Sequence, residues 1–227
     1  MKGIIFDFNG TLFWDSQLHY DAWREYSKIL RGTEFTDEEM RLNMFGRTNK
    51  DIIKYALGKE PDDKIVNKYA SEKEALYRKR CKDCPENFKL AKGAVELLDY
   101  LKSNNIPRTI ATMSEWCNVE FYIKEFHLEK WFDLDKIVYS DGTIAGKPAP
   151  DIFLIAAQKL NLHPKDCVVI EDAISGINSA KSAGIGKIIA IASLEPVEYY
   201  KKIAGIDSII KDFTEFDKNI LANSAKV

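Results

Sequence analysis

The chain has 227 residues, of which 45% are hydrophobic and 30% are charged, and its formal net charge is −2 at pH 7. This balance is typical of a folded globular protein, and the interspersed acids and bases argue against nucleic-acid binding. No apolar run approaches the roughly 18 residues of a membrane span, and the first residues lack a signal-peptide pattern. We therefore expect a cytoplasmic monomer that binds neither nucleic acid nor a membrane.

Short runs rich in β-branched residues predict six strands along the chain. They are Gly3–Phe6, Thr109–Thr112, Lys136–Tyr139, Cys167–Ile170, Lys187–Ile191 and Asp207–Ile210. Between most of these runs, apolar residues repeat at helical spacing. Strands that alternate with helices predict a parallel sheet, because parallel neighbours need crossover connections. We therefore expect an α/β fold with a doubly wound, mostly parallel sheet and a Rossmann-like core.

The stretch between the first predicted strand and Phe88 contains only helical patterns. They cover residues 18–30, 37–44, 51–57 and 63–80. A block of helices inserted after the first strand predicts a separate α-helical domain. We expect this inserted cap domain to span residues 14–87, and the α/β core domain to comprise residues 1–13 and 88–227.

The first predicted strand ends in a carboxylate that is followed at once by a turn. Its apolar residues lead into Asp7, and Gly10 allows the backbone to fold back beside that residue. Ligands of open parallel sheets bind outside the carboxyl ends of the strands, so Asp7 is a candidate active-site acid. Taken alone, an Asp after a strand could equally be a helix N-cap or a turn residue.

Three later segments also place polar side chains near the ends of strands or the start of a helix. Thr112 ends the second strand, and Lys147 precedes two prolines that constrain the backbone. A hydroxyl at a strand end can also cap the next helix, and Ser114 is the better candidate for that cap. Glu171 and Asp172 follow the fourth strand, where adjacent carboxylates raise each other's pKa unless a cation compensates. The pair therefore predicts a Mg²⁺ site, because Mg²⁺ prefers oxygen ligands.

Together these segments resemble the four motifs of the haloacid dehalogenase superfamily, in that family's order. The segments are Asp7–Thr11, Thr109–Ser114, Gly146–Asp151 and Val168–Gly176. The Lys-Pro-x-Pro form of the third and the Glu-Asp pair of the fourth are similar to its β-phosphoglucomutase-like and sugar-phosphate phosphatase branch. Many members of the superfamily also insert a helical cap after the first strand, as we expect here.

The resemblance implies a role for each matching residue. Asp7 would attack phosphorus and form an aspartyl-phosphate, and Thr112 and Lys147 would bind the transferring phosphoryl group, with Ser114 beside them. The catalytic residues implied are Asp7, Asn9, Thr112 and Lys147. The Mg²⁺ ligands implied are Asp7, Asn9 through its backbone carbonyl, Glu171 and Asp172.

Asn9 departs from the family pattern, which has a second aspartate at this position. That aspartate protonates the departing alkoxide and later takes a proton from water, and an amide can do neither. General acid/base help is worth roughly 10²- to 10⁴-fold in rate, so we expect a slow phosphatase. Three explanations stay open: a natural variant with weakened or altered chemistry, a phosphate-binding module without turnover, or a substitution made to trap an intermediate.

The helical insertion offers three candidate substrate-binding residues: His19, Arg47 and Asn49. A cation beside a helix N-terminus is an anion site, and Arg47 precedes a predicted helix. In the β-phosphoglucomutase resemblance an arginine of this region binds the non-transferring phosphate. Asn49 falls in its place and Arg47 lies two residues earlier, which favours a phosphatase over a mutase.

The expected function is therefore a Mg²⁺-dependent phosphatase of small phosphorylated metabolites, above all sugar phosphates. A β-phosphoglucomutase-like phosphomutase is the alternative within the enzyme class. A catalytically weak protein that binds phosphate ligands is the alternative outside it.

Overall fold

The computed structural model of the protein describes residues 2–44 and 47–221, apart from the side chains of residues 41 and 42. In this part of the chain, six strands form one sheet in the order β3-β2-β1-β4-β5-β6, and every neighbouring pair is parallel. The strands are β1 (Gly3–Phe6), β2 (Arg108–Glu115), β3 (Val138–Ser140), β4 (Cys167–Glu171), β5 (Lys187–Ile191) and β6 (Ser208–Ile210). The predicted α/β fold with a parallel sheet is confirmed.

The described helices fall into two groups along the chain. Between β1 and β2 lie α1 (Ser16–Arg31), α2 (Asp37–Asn43), α3 (Asn49–Leu57), α4 (Asp63–Asp83) and α5 (Ala94–Ser103). After β2 the helices alternate with strands: α6 (Trp116–Phe126), α7 (Asp151–Lys159), α8 (Ile174–Ser182) and α9 (Val197–Tyr200). None of the described helices combines the length and apolar character that a membrane span requires.

Several predicted boundaries differ from the structure by one to three residues, and two of them have a clear local cause. The third strand begins at Val138 rather than Lys136, because Lys136 ends a 3₁₀ turn in which its N–H donates to the carbonyl of Asp133. Helix α3 begins two residues before its predicted start, because Thr48 and Asp51 form a capping box around its first turn.

Strand β1 is the centre of the sheet and is buried on both faces. Ile5 packs in the apolar cluster that includes Phe153 of α7 and Ile177 of α8. Phe6 points to the opposite face, where its ring meets those of Phe132 and Phe213, each 6.1 Å away between centroids. Because β1 pairs in parallel with both β2 and β4, the carboxyl ends of these three strands meet at one edge of the sheet.

The chain divides into two compact units. One comprises the residues up to Trp14 together with those from Lys89 onward, and the other is Asp15–Phe88. The helical unit has an apolar core of its own, formed by buried side chains of α1, α2, α3 and α4 and the connection before α2, among them Trp23, Phe35, Met40, Ile53 and Ala70. Each unit therefore buries its own apolar surface.

Candidate active site

Asp7 lies directly beyond the carboxyl end of β1 and is buried. Its N–H donates to the carbonyl of Ile170 at 3.0 Å, which extends the pairing with β4 by one residue. Nζ of Lys147 donates to Oδ1 of Asp7 at 2.6 Å and to Oε2 of Glu171 at 3.0 Å. Lys147 therefore joins two carboxylates that stand at the ends of neighbouring strands.

Three buried carboxylates share this edge of the sheet. One oxygen from each of Asp7, Glu171 and Asp172 lies within 4.8 Å of the other two. Burial, reinforced by the charge of Asp7, raises the pKa of Glu171 well above its usual range and raises the pKa of Asp172 to about 7. Burial alone would lower the pKa of Lys147, but Asp7 and Glu171 outweigh it and raise that pKa. One ammonium cannot balance three carboxylates, so the cluster fits a hard dication such as Mg²⁺.

The absence of a side chain at Gly10 leaves space for the carboxylate of Asp172. The φ of Gly10 is +80°, in the left-handed region, and a Cβ atom there would stand 2.2 Å from Oδ2 of Asp172. Its N–H donates to the carbonyl of Phe13 at 2.7 Å and closes the turn. A larger residue at this position would displace the Asp172 carboxylate.

Three hydroxyl groups hold the side chain of Asn9. Oγ of Ser114 donates to Oδ1 of Asn9 at 2.6 Å, and Oγ1 of Thr112 lies 3.3 Å from the same oxygen. Nδ2 of Asn9 donates to the hydroxyl of Tyr122 at 2.8 Å, and the Tyr122 ring stacks on Phe8 with centroids 4.5 Å apart. The amide is therefore held with its oxygen towards β2 and its nitrogen towards α6.

The prediction that Ser114 caps a helix is wrong. Strand β2 continues through Ser114 to Glu115, and α6 begins at Trp116 without a side-chain cap. The pairing of β2 with β3 is irregular between Ala111 and Glu115, and Ser114 lies within this stretch. Its hydroxyl donates to Oδ1 of Asn9 instead.

Three residues of the α/β unit that hold the site were missed by sequence reasoning: Tyr122, Ser193 and Tyr200. The hydroxyl of Tyr200 donates to the backbone carbonyl of Asp172 at 2.7 Å, and Ser193 donates to the carbonyl of Gly10. A tyrosine in an amphipathic helix and a serine in a loop have no local pattern that separates such contacts from ordinary packing. A loop residue such as Ser193 could be singled out only once the order of the strands is known.

His19 belongs to a polar network inside the helical unit. Nζ of Lys73 lies 2.9 Å from Nδ1 of His19, and the imidazole stacks on Tyr77 with centroids 3.7 Å apart. A lysine ammonium can only donate, so Nδ1 accepts and the ring proton resides on Nε2. That nitrogen faces Oδ2 of Asp15 at 3.4 Å, and Asp15 also accepts from the hydroxyl of Tyr77.

Asn49 joins the same network, whereas Arg47 lies exposed in the turn before α3. Nδ2 of Asn49 donates to Oε1 of Glu74 at 3.0 Å, and the same oxygen accepts from the buried Lys73 at 2.9 Å. Sequence reasoning missed Lys73 and Glu74, because adjacent charges in a highly charged helix normally indicate a solvated face.

Comparisons with known proteins show which family and which solved structures the chain resembles. Residues 1–184 match the family model for haloacid dehalogenase-like hydrolases. The chain is 30% identical over 195 residues to a phosphorylated carbohydrates phosphatase of Thermotoga maritima, covering 84% of this chain and 85% of that protein. It is 31% identical over 192 residues to a β-phosphoglucomutase of Bacillus subtilis, covering 82% and 81%. A crystal structure of a family IA, variant 3 hydrolase of Entamoeba histolytica superposes with a TM-score of 0.90 at 46% identity, covering 97% of both chains.

We expect the thermal stabilisation of the protein by Mg²⁺ to increase between pH 5.5 and pH 8. The metal-free folded protein keeps Asp172 protonated up to its pKa of about 7, whereas the unfolded chain releases this proton near 3.8. The contribution of this carboxyl to metal-free stability therefore falls as the pH rises from about 4 to about 7. A bound dication would offset the loss by compensating the ionised carboxylate.

The measurement is the Tm in excess chelator and in Mg²⁺ at both pH values, with Asp172→Asn as the matched control. In the control, Mg²⁺ should raise the Tm much less than in the parent protein, and this increase should no longer depend on pH. An equal Tm increase at both pH values, or one that survives in Asp172→Asn, would contradict the metal assignment.

Proposed function

Because the chain belongs to the haloacid dehalogenase-like hydrolases, as its motifs predicted, we propose that it is a Mg²⁺-dependent phosphatase of small phosphate monoesters. Phosphorylated sugars are the substrates that we favour, since one of its relatives is a phosphatase of phosphorylated carbohydrates. The observation that carries the proposal is the buried Asp7 carboxylate, bound by Lys147 and flanked by Glu171 and Asp172.

In the proposed reaction Asp7 is the nucleophile. A carboxylate oxygen of Asp7 forms a bond to phosphorus while the bond from phosphorus to the ester oxygen breaks, and the alkoxide leaves and takes a proton from solvent water. Water then attacks the aspartyl-phosphate, releases inorganic phosphate and restores the carboxylate. Lys147 offsets the charge of the nucleophile and the phosphate, and the hydroxyl of Thr112 donates to the phosphoryl oxygens.

The proposed metal ligands are the carboxylates of Asp7, Glu171 and Asp172 and the backbone carbonyl of Asn9. Their oxygen donors and net negative charge suit Mg²⁺, which binds through one or two carboxylates together with phosphate oxygens. When bound, Mg²⁺ would supply positive charge beside the transferring phosphoryl group.

Asn9 would make both steps slow. Its amide has no proton to give to a departing alkoxide and no basic site that could activate water. Its two polar atoms are already engaged by Ser114 and Tyr122. Electrostatic stabilisation by the remaining groups is often the largest contribution to phosphoryl transfer, so turnover should be reduced rather than abolished.

For the helical unit we propose a role as a cap, comprising residues 14–87, that contributes to substrate binding. His19 and Asn49 are its best candidates, because the buried Lys73 and Glu74 hold both side chains in defined positions. Arg47 is a weaker candidate. Thr48 and the Asp51 carboxylate already cap the N-terminus of α3, so an anion bound there would be repelled by Asp51.

A phosphomutase is the second candidate function, and the similarity to a β-phosphoglucomutase favours it. A mutase must return the phosphoryl group from Asp7 to a sugar hydroxyl, a step that also needs the acid/base group that Asn9 cannot provide. A phosphate-binding protein without turnover is the third possibility. A cytoplasmic location and a monomeric state stay predictions, and the four cysteines, which form no disulfide with one another, suit a reducing compartment.

The central test is the release of inorganic phosphate from a panel of sugar phosphates in Mg²⁺. Asp7→Asn should reduce turnover more than about 10³-fold, because the amide cannot act as the nucleophile. The matched control is Asp135→Asn, an exposed residue in the connection before β3, which should leave turnover unchanged. Excess chelator should abolish turnover, and added Mg²⁺ should restore it.

Two other outcomes would replace the proposal. Conversion of a hexose 1-phosphate into its 6-phosphate without release of phosphate would indicate the mutase. Calorimetric binding of the same sugar phosphates without any reaction would indicate the binding protein. Full turnover in Asp7→Asn would reject Asp7 as the nucleophile.

We expect Asn9→Asp to raise the turnover of alkyl phosphates by roughly 10²- to 10⁴-fold. The surroundings suit a carboxylate, since Ser114 and Thr112 can donate to it and the Tyr122 hydroxyl can donate instead of accepting. For aryl phosphates the rate of the first step should rise less, because their leaving groups depart without protonation. Steady-state rates with both donor classes measure the difference.

Asn9→Ala is the control and should not raise turnover. Intact mass must be measured first, because Asn-Gly sequences deamidate readily and a trace of the Asp form would imitate native activity. If Asn9→Asp leaves the turnover of alkyl phosphates unchanged, Asn9 does not occupy the place of the missing acid/base group.

A further inference from the structure

The connection between β5 and β6, residues 192–207, reaches the candidate metal site from outside the four sequence motifs. Ser193 donates through Oγ to the backbone carbonyl of Gly10, in the turn after Asp7. Tyr200, at the end of α9, donates through its hydroxyl to the backbone carbonyl of Asp172 at 2.7 Å. One segment therefore contacts both loops that carry the clustered carboxylates.

The backbone carbonyl of Asp172 lies beyond the point where a neighbouring strand donates hydrogen bonds to β4. The pairing of β4 with β5 extends to Glu171, which is opposite Ala190, and β4 ends there. A buried carbonyl beyond the end of a strand needs a donor from elsewhere in the fold. The Tyr200 side chain fills this role, and it is only 1% exposed.

The contact between Tyr200 and the carbonyl of Asp172 has one possible direction. A backbone carbonyl can only accept a hydrogen bond, so the hydroxyl of Tyr200 is the donor in this contact. The Asp172 side chain is held separately, because Oγ1 of Thr11 lies 3.1 Å from its Oδ1. Tyr200 thus restrains the backbone from which this carboxylate projects, whereas Thr11 restrains the carboxylate itself.

We propose that Tyr200 is a positioning residue of the metal site, and that with Ser193 it sets the affinity for Mg²⁺. This inference rests on the proposed function, since it concerns the metal that the phosphatase would use. Partners that orient metal ligands commonly change metal affinity or activity 10- to 100-fold when they are removed. The effect should fall on Mg²⁺ binding and leave the chemical step at saturating Mg²⁺ close to that of the parent protein.

The test is Tyr200→Phe, which removes the hydroxyl and keeps the buried ring. Calorimetric titration of the chelator-treated protein with Mg²⁺ alone should show a Kd about 10- to 100-fold higher than that of the parent. In the phosphatase assay the Mg²⁺ concentration for half-maximal rate should rise by a similar factor, with little change in kcat at saturation.

Tyr199→Phe is the matched control. Tyr199 is the neighbouring residue of α9 and is 36% exposed, so the same loss of one hydroxyl should leave the Kd for Mg²⁺ unchanged. Ser193→Ala removes the other contact of the segment and should weaken Mg²⁺ binding in the same direction. It tests the inference independently if Tyr200→Phe fails to fold.

The possible results separate this inference from the proposed function. A parent protein that binds Mg²⁺ and hydrolyses sugar phosphates, with an unchanged Kd in Tyr200→Phe and Ser193→Ala, would overturn the inference alone. A lowered Tm in Tyr200→Phe with unchanged Mg²⁺ binding would also overturn it, because the contact would then serve folding only. A parent protein that binds Mg²⁺ without phosphatase activity would reject the proposed function and leave the inference to be decided by the Kd values. A parent protein that binds no Mg²⁺ would overturn both.

Discussion

The site depends on the charge balance of one edge of the sheet. Asp7, Glu171 and Asp172 are buried there within 4.8 Å of one another, and Lys147 is the cation that contacts two of them. Removing an ion from water costs several kcal/mol even after the protein relaxes, so this arrangement persists only where the rest of the fold enforces it. The central position of β1 does so, because its neighbours β2 and β4 are fixed by the register of the whole sheet.

Asn9 affects the charge at this edge of the sheet but not the fold. A carboxylate at position 9 would add a fourth acidic group only two residues from Asp7. The amide avoids this charge and is satisfied on both sides by Ser114 and Tyr122. Proteins often gain stability where they lose activity, because active-site groups are held against their own repulsion. Under the proposed function Asn9 fits that pattern, because its amide adds no charge to this edge of the sheet and supplies no acid/base group.

The sequence predicted the elements of the fold better than their limits. All six strands lie where β-branched runs were found, because burial on both faces of a parallel sheet requires such runs. The start of β3 and the role of Ser114 were wrong. The start of β3 is displaced by the 3₁₀ turn that ends at Lys136, whereas the hydroxyl of Ser114 donates to Asn9, 105 residues away along the chain. No pattern within a short window contains such a partner.

The sequence by itself determined which chemical groups are available and at which strand ends they stand. Asp7, Lys147, Glu171 and Asp172 were identifiable because each belongs to a short motif with a specific local pattern. Only the tertiary structure decided which distant groups hold the surrounding backbone and side chains: Tyr122 contacts Asn9, Ser193 contacts the carbonyl of Gly10, and Tyr200 contacts the carbonyl of Asp172. The physical reason is that a hydrogen bond depends on distance and direction in space, whereas a motif records only order along the chain. The crossover connections of the parallel sheet bring residues that are distant along the chain into contact.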